Sequence, residues 1–302
     1  MMHSLKRLGK FLNKPNRSAY FFIFPAAIIL IVFTFVPLIG TLAFGFLNVN
    51  LFFSEITFAG FDNFIRFFND TRAINSLLHS LGFMLWQVPL QISVGLLLAV
   101  ALQKNNWFNK MCRSICFVPV VCSLTAISII WTVLLNRNVG YIPHLIRQLG
   151  LQAPAFLTDA KWALPTVAIA TVWKDFGMTL VILTAALQDV SPSLYESAEI
   201  DGAGPVKKFF WITIPQIIPS IGFCLLTTFI SSMQVFDQVF IMTGGGPLFQ
   251  TESAVLYIYK RGFSPPFELG YASAVSWMLF VMIAVIAFSM NRYMARKEEQ
   301  CS

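Results

Sequence analysis

Residues 195–219 read YESAEIDGAGPVKKFFWITIPQIIP, a charged, glycine-broken stretch between two long apolar segments. Ser193 to Glu196 fit a capping box, in which the Ser193 hydroxyl closes a helix start and Glu196 returns the bond three residues on. The alternative start has Ser191 as cap and Pro192 at the first helical position. Either start predicts a short helix over Tyr195–Ile200 that Gly202 and Gly204 interrupt. Pro205 then opens a second helix, which runs through Val206 to Ile214 and stops before Pro215. Such a hairpin is a bent, rigid knob. Its first arm carries the carboxylates Glu196, Glu199 and Asp201, and its second carries Lys207 and Lys208. From physics alone it is either a handle for a soluble partner or a solvated loop whose charges keep it out of a bilayer.

The segments on either side decide the class. Hydrophobic residues make up 57% of the 302 and charged residues only 12%, too little polar surface to cover a water-soluble globule. Six apolar runs, Tyr20–Phe44, Leu77–Leu102, Ser114–Leu134, Trp162–Leu187, Gln216–Met242 and Gly270–Met290, each reach the roughly 20 residues a helix needs to cross the hydrocarbon core. The first is too long for the apolar part of a secretory signal and reads as a retained span. The expectation is an all-α membrane protein of six transmembrane helices. Its parts are an N-terminal tail over 1–19, a membrane domain over 20–290 containing the hairpin 191–215, and a C-terminal tail over 291–302.

An even number of spans puts both termini on one side, and basic residues choose it. Lys6, Arg7, Lys10, Lys14, Arg17, Lys104, Lys110, Arg113, Lys207, Lys208, Arg292, Arg296 and Lys297 fall on the side of the hairpin. Arg66, Arg72, Arg137, Arg147, Lys161, Lys260 and Arg261 fall on the other. The positive-inside rule therefore makes both termini and the hairpin cytoplasmic. The net charge of +7 sits in short juxtamembrane segments, where anionic lipid is the simpler partner than nucleic acid. Cys112, Cys116, Cys122, Cys224 and Cys301 lack ligand spacing, and His3, His79 and His144 form no cluster with carboxylates, so neither a disulfide nor a metal site is expected.

Several features go beyond a plain anchor. Pro25, Pro37, Pro89, Pro119, Pro215 and Pro219 break the spans, as in helices packed around pathways. Trp162 and Trp211, near span ends, read as interface anchors. Lys174, Asp175 and Asp237 fall within spans, where an unpaired charge costs at least ~2.5 kcal/mol. Adjacent helical positions point about 100° apart, so Lys174 is expected to pair with Asp237 rather than with Asp175. The group lines a path, forms a structural pair, or lies nearer the outer interface than the span bounds imply. Gln87, Gln91 and Gln234 either bond a hydroxylated solute or join helix to helix. Thr243, Gly244, Gly245, Gly246 and Pro247 read as a sharp turn. Phe249–Gly262 reads as a short helix whose Tyr257 and Tyr259 are candidates for an interface.

The 195–219 pattern closely resembles the cytoplasmic loop signature of the membrane permeases of binding-protein-dependent ABC importers: EAA, then DGA, a phenylalanine and I-x-L-P. Upstream, WKDFGMTLVILTAALQDVSPSLYE resembles the family's lead-in. Downstream, IMTGGGPLFQTESAVLYIYKRGF and LGYASAVSWML resemble the first of the paired permeases in the sugar subfamily. The resemblance implies the type I ABC importer permease fold in a bacterial or archaeal cytoplasmic membrane. In that family the loop is the coupling helix that docks in a groove of a cytoplasmic ATPase. Glu196 matches the signature glutamate, Ala198 its second alanine, Asp201, Gly202 and Ala203 the DGA, Phe210 the phenylalanine and Pro215 the closing proline. Ser197 stands where the first alanine is usual, and Ile214 where leucine is common; both are small or conservative changes. Residues 243–247 lie where such permeases meet the binding protein and the outer gate.

The implied partners are a second, homologous permease in a heterodimer, two ATPase subunits that use ATP and Mg, and an extracytoplasmic solute-binding protein. This chain has no G-x-x-x-x-G-K-[ST] loop, so it is expected to bind no cofactor and to be no enzyme. The implied solute is a sugar or oligosaccharide, with a glycerol-phosphate ester as the alternative. A stand-alone secondary transporter is the rival class, and it fits less well because no internal repeat is evident.

Overall fold

The computed structural model describes residues 15–301, with side chains from Phe22 to Arg296. Lys6, Arg7, Lys10, Lys14, His3 and the side chains of Arg17, Lys297 and Cys301 lie outside the described residues. The described residues are mostly helical. In order come α1 (Pro15–Leu30), α2 (Val36–Gly45), strands β1 (Leu47–Val49) and β2 (Ile56–Phe58), α3 (Asp62–Asn69), α4 (Thr71–Ala101), α5 (Trp107–Val121) and α6 (Leu124–Leu134). They are followed by α7 (Tyr141–Gln148), α8 (Ala160–Asp189), α9 (Pro192–Ile200), α10 (Pro205–Lys208), α11 (Ile214–Met233), α12 (Asp237–Met242), α13 (Ala254–Phe263) and α14 (Leu269–Cys301).

Among the described residues, five helical stretches are long and apolar enough to cross a membrane: 22–45, Thr71–Ala101, Ala160–Asp189, Pro205–Met233 and Leu269–Arg296. The third expected span is not straight. Trp107–Val121 and Leu124–Leu134 meet at 95°, giving a sixth crossing only if the bent pair counts as one. Pro119 has no N–H for the Ile115 carbonyl, and Cys122, extended at φ −75° and ψ 150°, ends α5 before Ser123 starts α6.

The fifth expected span also differs, since it stops at Met233 and α12 is a separate helix. Ser231 and Ser232 donate their hydroxyls to the carbonyls of Thr228 and Phe229. The next backbone bonds, from Gln234 N to Ser231 O and Val235 N to Ser232 O, tighten to the i→i+3 kind. The Val235 carbonyl freed by the break accepts from Ser253 Oγ at 2.6 Å.

Two prolines act without breaking their helices. Ile31–Phe35 and Phe209–Thr213 are π turns, and each lies just before a proline, Pro37 and Pro215. A proline N cannot serve the carbonyl four residues back, so the ladder slips by one, with Val36 N bonding Ile31 O and Ile214 N bonding Phe209 O.

The described residues fall into two compact units, 15–66 with 261–277, and 67–260 with 278–301. In the first, β1 and β2 pair antiparallel with Asn48 opposite Thr57. The buried Asn63 amide donates to the Gly45 and Leu47 carbonyls at 3.1 and 3.0 Å. A Cβ at Gly270 would fall 2.0 Å from Leu47 O, so only glycine lets α14 start against β1. Arg66 forms a two-bond pair with Glu268 at 2.8 and 3.0 Å and lies over the Tyr271 ring.

The second unit holds the main core: Phe83, Val167, Ala168, Ala170, Val235, Val239, Met242 and Leu256. Here α4 packs along α8, and α5 packs on α8 so closely that a Cβ at Gly177 would lie 2.4 Å from Cys116 O. A buried polar chain joins three helices: Gln87 Nε2 donates to Gln91 Oε1, and Gln91 Nε2 to the hydroxyls of Thr179 and Thr228. Gln91 thus joins its helix to two others, while Gln87 bonds within α4 and its buried Oε1 has no partner among the described residues. Gln234, by contrast, is exposed at the C-terminal cap of α11.

Candidate functional site

The hairpin is built by local chemistry. Its first helix starts at Pro192 with Ser191 as cap, the alternative of the two expected starts, because the fixed φ and absent N–H of proline suit the first position. Ser193 is inside the helix, where its hydroxyl meets Ser191 Oγ at 2.8 Å and its carbonyl accepts from Ser197 Oγ at 2.9 Å. The capping box therefore does not form. The helix ends in a complete Schellman closure: Ala203 N bonds Ala198 O at 2.8 Å, Gly202 N bonds Glu199 O at 3.0 Å, and Gly202 takes φ +74°. The Asp-Gly-Ala of the signature thus has a physical reading. Asp201 is the C-cap, Gly202 the left-handed residue, and Ala203 the residue whose N–H reaches back to Ala198.

The second arm corrects the expected stop at Ile214. Pro205 opens a helical run that continues through the π turn and past Pro215 to Met233. The hairpin is therefore a direct extension of a span. Lys208 Nζ lies 3.2 Å from Glu199 Oε1, and the Tyr195 hydroxyl meets Thr213 Oγ1 at 2.9 Å, so two contacts tie the arms. Glu196, Ser197, Asp201, Gly202 and Phe210 are exposed, whereas Ala198, Ala203 and Pro215 are half-buried. Glu196 makes no ion pair among the described residues. The tip also presents apolar side chains that a reading of its charges overlooks. Ile200 is 88% exposed and Val206 69%. Their signal in sequence is an isoleucine and a valine flanking Asp-Gly-Ala-Gly inside a polar stretch.

At the other candidate, Thr243–Pro247 forms a locked loop. Gly244 and Gly245 take φ +61° and +89°. Thr243 Oγ1 meets Thr251 Oγ1 at 2.8 Å, Thr251 donates to Gly246 O at 2.7 Å, and Lys260 Nζ donates to Gly244 O at 2.8 Å. Under the loop lies Glu252, with a side chain 1% exposed, bonded by Arg72 at 2.6 and 2.8 Å and by Lys260 at 3.0 Å. Burial pushes the Glu252 carboxyl up, but the bonds from Arg72 and Lys260 outweigh it and hold the group below the ordinary glutamate range. Phe249 stacks under the Arg72 guanidinium at 3.7 Å.

The short helix expected over Phe249–Gly262 forms only from Ala254, as α13, and Tyr257 is not an interface residue. It is fully buried, and its hydroxyl donates to Asp70 Oδ2 at 2.5 Å. Tyr259 is partly exposed and packs on Phe236 and Phe240.

The expected Lys174–Asp237 pair is also corrected. Lys174 Nζ bonds its neighbour Asp175 at 2.8 Å, because the four-carbon stem of lysine spans the angle between adjacent positions. Asp237 heads α12, beyond the break in the span, and has no ion-pair partner among the described residues.

A multi-span helical membrane domain whose penultimate long span is extended by a rigid, exposed hairpin belongs to the class of membrane transport subunits. The chain is a member of the binding-protein-dependent transport system inner membrane component family, which matches residues 91–298. It is thus a permease subunit of an ABC transporter, from a family that transports and does not catalyse. It is 31% identical over 290 residues to the lactose transport system permease protein LacF of Rhizobium radiobacter, covering 93% of this chain and 95% of that one. It is 29% identical to the probable ABC transporter permease protein YurN of Bacillus subtilis, over 95% of this chain and 99% of that one. Its fold matches, with a TM-score of 0.81 and 24% identity, a chain of a bacterial ABC transporter involved in the import of the acidic polysaccharide alginate. That match covers 96% of this chain and 99% of the other.

Proposed function

We propose that this chain pairs with a second, homologous permease to form the path by which a sugar or oligosaccharide enters the cell, delivered by an extracytoplasmic binding protein. Both termini and the hairpin 191–215 face the cytoplasm, where each of two ATPase subunits takes one permease hairpin in a groove and binds ATP and Mg. Ile200 and Val206 enter the groove, and Glu196 and Asp201 meet cations at its rim. The single observation carrying the reading is the Schellman-closed hairpin continuous with a span. A pull on Pro205 is a pull on α11, because the helical run from Pro205 to Met233 is continuous. Residues 243–247 take the binding-protein or outer-gate role, and their lock on Glu252 suits a surface that must keep its shape. Lys174, Asp175, Gln234 and Asp237 are assigned to the path. LacF supports a sugar; a glycerol-phosphate ester is the second solute class.

The test is uptake into vesicles that hold the chain with its genomic neighbours. Labelled disaccharide should accumulate only with binding protein and internal ATP. Accumulation driven by an ion gradient without ATP would make this a secondary transporter, and uptake of glycerol phosphate in place of sugars would move the substrate class.

A further inference from the structure

A groove of about 660 Å³ opens between α5 and α8, at the end of α8 that leads into the hairpin. Lys110, Arg113 and Phe117 line it from α5, and Val181, Ala185 and Gln188 from α8. The two helices approach most closely where Gly177 lies against the Cys116 carbonyl, and the groove lies on the hairpin side of that contact. Past the groove Gln188 Nε2 bonds Gln103 O at 3.2 Å, holding the end of α8 to the loop before α5.

Arg113 is half-buried in this groove and Lys110 is exposed at its edge, and neither has a carboxylate partner among the described residues. A cation partly withdrawn from water beside an apolar wall calls for an anion. The neighbouring face of α5 shows what that anion is attached to. Trp107, Phe108, Met111 and Ile115 are all exposed, the aromatic and apolar surface of a helix end at the membrane–water interface. A free inorganic anion has no use for Phe117 and Val181; an anion on an acyl chain uses both halves of the groove.

We infer that the groove between α5 and α8 is a site for an anionic glycerophospholipid, with the headgroup phosphate on Lys110 and Arg113 and an acyl chain along Phe117 and Val181. The lipid props the ends of α5 and α8 apart next to the hairpin.

The test is native mass spectrometry of the full chain extracted from vesicles of equimolar phosphatidylglycerol and phosphatidylcholine. Wild type should retain phosphatidylglycerol about tenfold over phosphatidylcholine, and Lys110→Gln with Arg113→Gln should bring the ratio near one. Lys207→Gln with Lys208→Gln, which removes equal charge from the hairpin, should leave the preference intact. Ala185→Trp keeps both cations but fills the groove, and it should abolish the preference as well. The inference is overturned if the Lys110/Arg113 variant keeps its preference, if the Lys207/Lys208 variant loses it equally, if Ala185→Trp has no effect, or if millimolar inorganic phosphate displaces the lipid.

Discussion

Glu252 shows how much one buried carboxylate can organise. Its two cations bind it from α4 and α13, and one of them also holds the Gly244 carbonyl, so the shape of the glycine loop depends on the charge beneath it. Arg72 and Lys260 keep 36% and 30% of their side-chain surface in water, which places the loss on Glu252→Gln at about 3 kcal/mol, the low end for a broken buried pair. Because the folded carboxyl titrates below the ordinary glutamate range, its contribution is complete above that range and fades as pH falls through the folded value. The melting difference between wild type and Glu252→Gln should therefore be large at neutral pH and close in strong acid. A constant difference would mean that the carboxylate charge is not what stabilises the loop. In sequence nothing singles out Glu252 within the stretch 249–262 read as a short helix, since its partner Arg72 lies 180 residues away. Gly202 is the opposite case. A glycine followed by Gly-Pro spacing announces a turn, and φ +74° confirms the left-handed position. A Cβ there would touch nothing within 4 Å, so Gly202→Val should cost only the backbone strain of about 1–2 kcal/mol, confined to the hairpin. The variant should melt like wild type yet lose most ATP-driven uptake. Normal uptake would remove the closure from the coupling account.

The elements were legible where composition alone sets them. Apolar runs of about 20 residues must be helices in hydrocarbon, because no other open structure satisfies its backbone there, and the chain has such helices at or near each run. The breaks were less legible. The stop at Met233 depends on two serine hydroxyls turning back onto their own helix and on Ser253, from a distant loop, taking the Val235 carbonyl. The bend after Val121 needs Cys122 extended, which Pro119 alone does not dictate. Helix–helix approach is similarly hidden until the backbones are placed. Gly177 lies against the Cys116 carbonyl, so Gly177→Val should force α5 off α8 and cost about 1–3 kcal/mol by overpacking. A lower yield of monodisperse protein and a lower melting temperature than for Gly204→Val, whose site is open, would show it; equal behaviour would contradict the close packing.

At the scale of the whole molecule, this permease subunit holds features suited to two ends of a relay, a rigid hairpin continuous with a span and a locked loop on a buried ion cluster. The proposed relay needs the hairpin to transmit force, and the extension of α10 through the π turn into α11 supplies an unbroken helical rod for it. The most direct measurement is co-purification of the detergent-solubilised chain from its native membrane, wild type against Glu196→Lys and Ile200→Asp. Wild type should bring down an ATPase and a second six-span permease, and both variants should lose the ATPase while keeping the permease. If the variants retain the ATPase as wild type does, or if wild type comes down alone, the hairpin is not the coupling element.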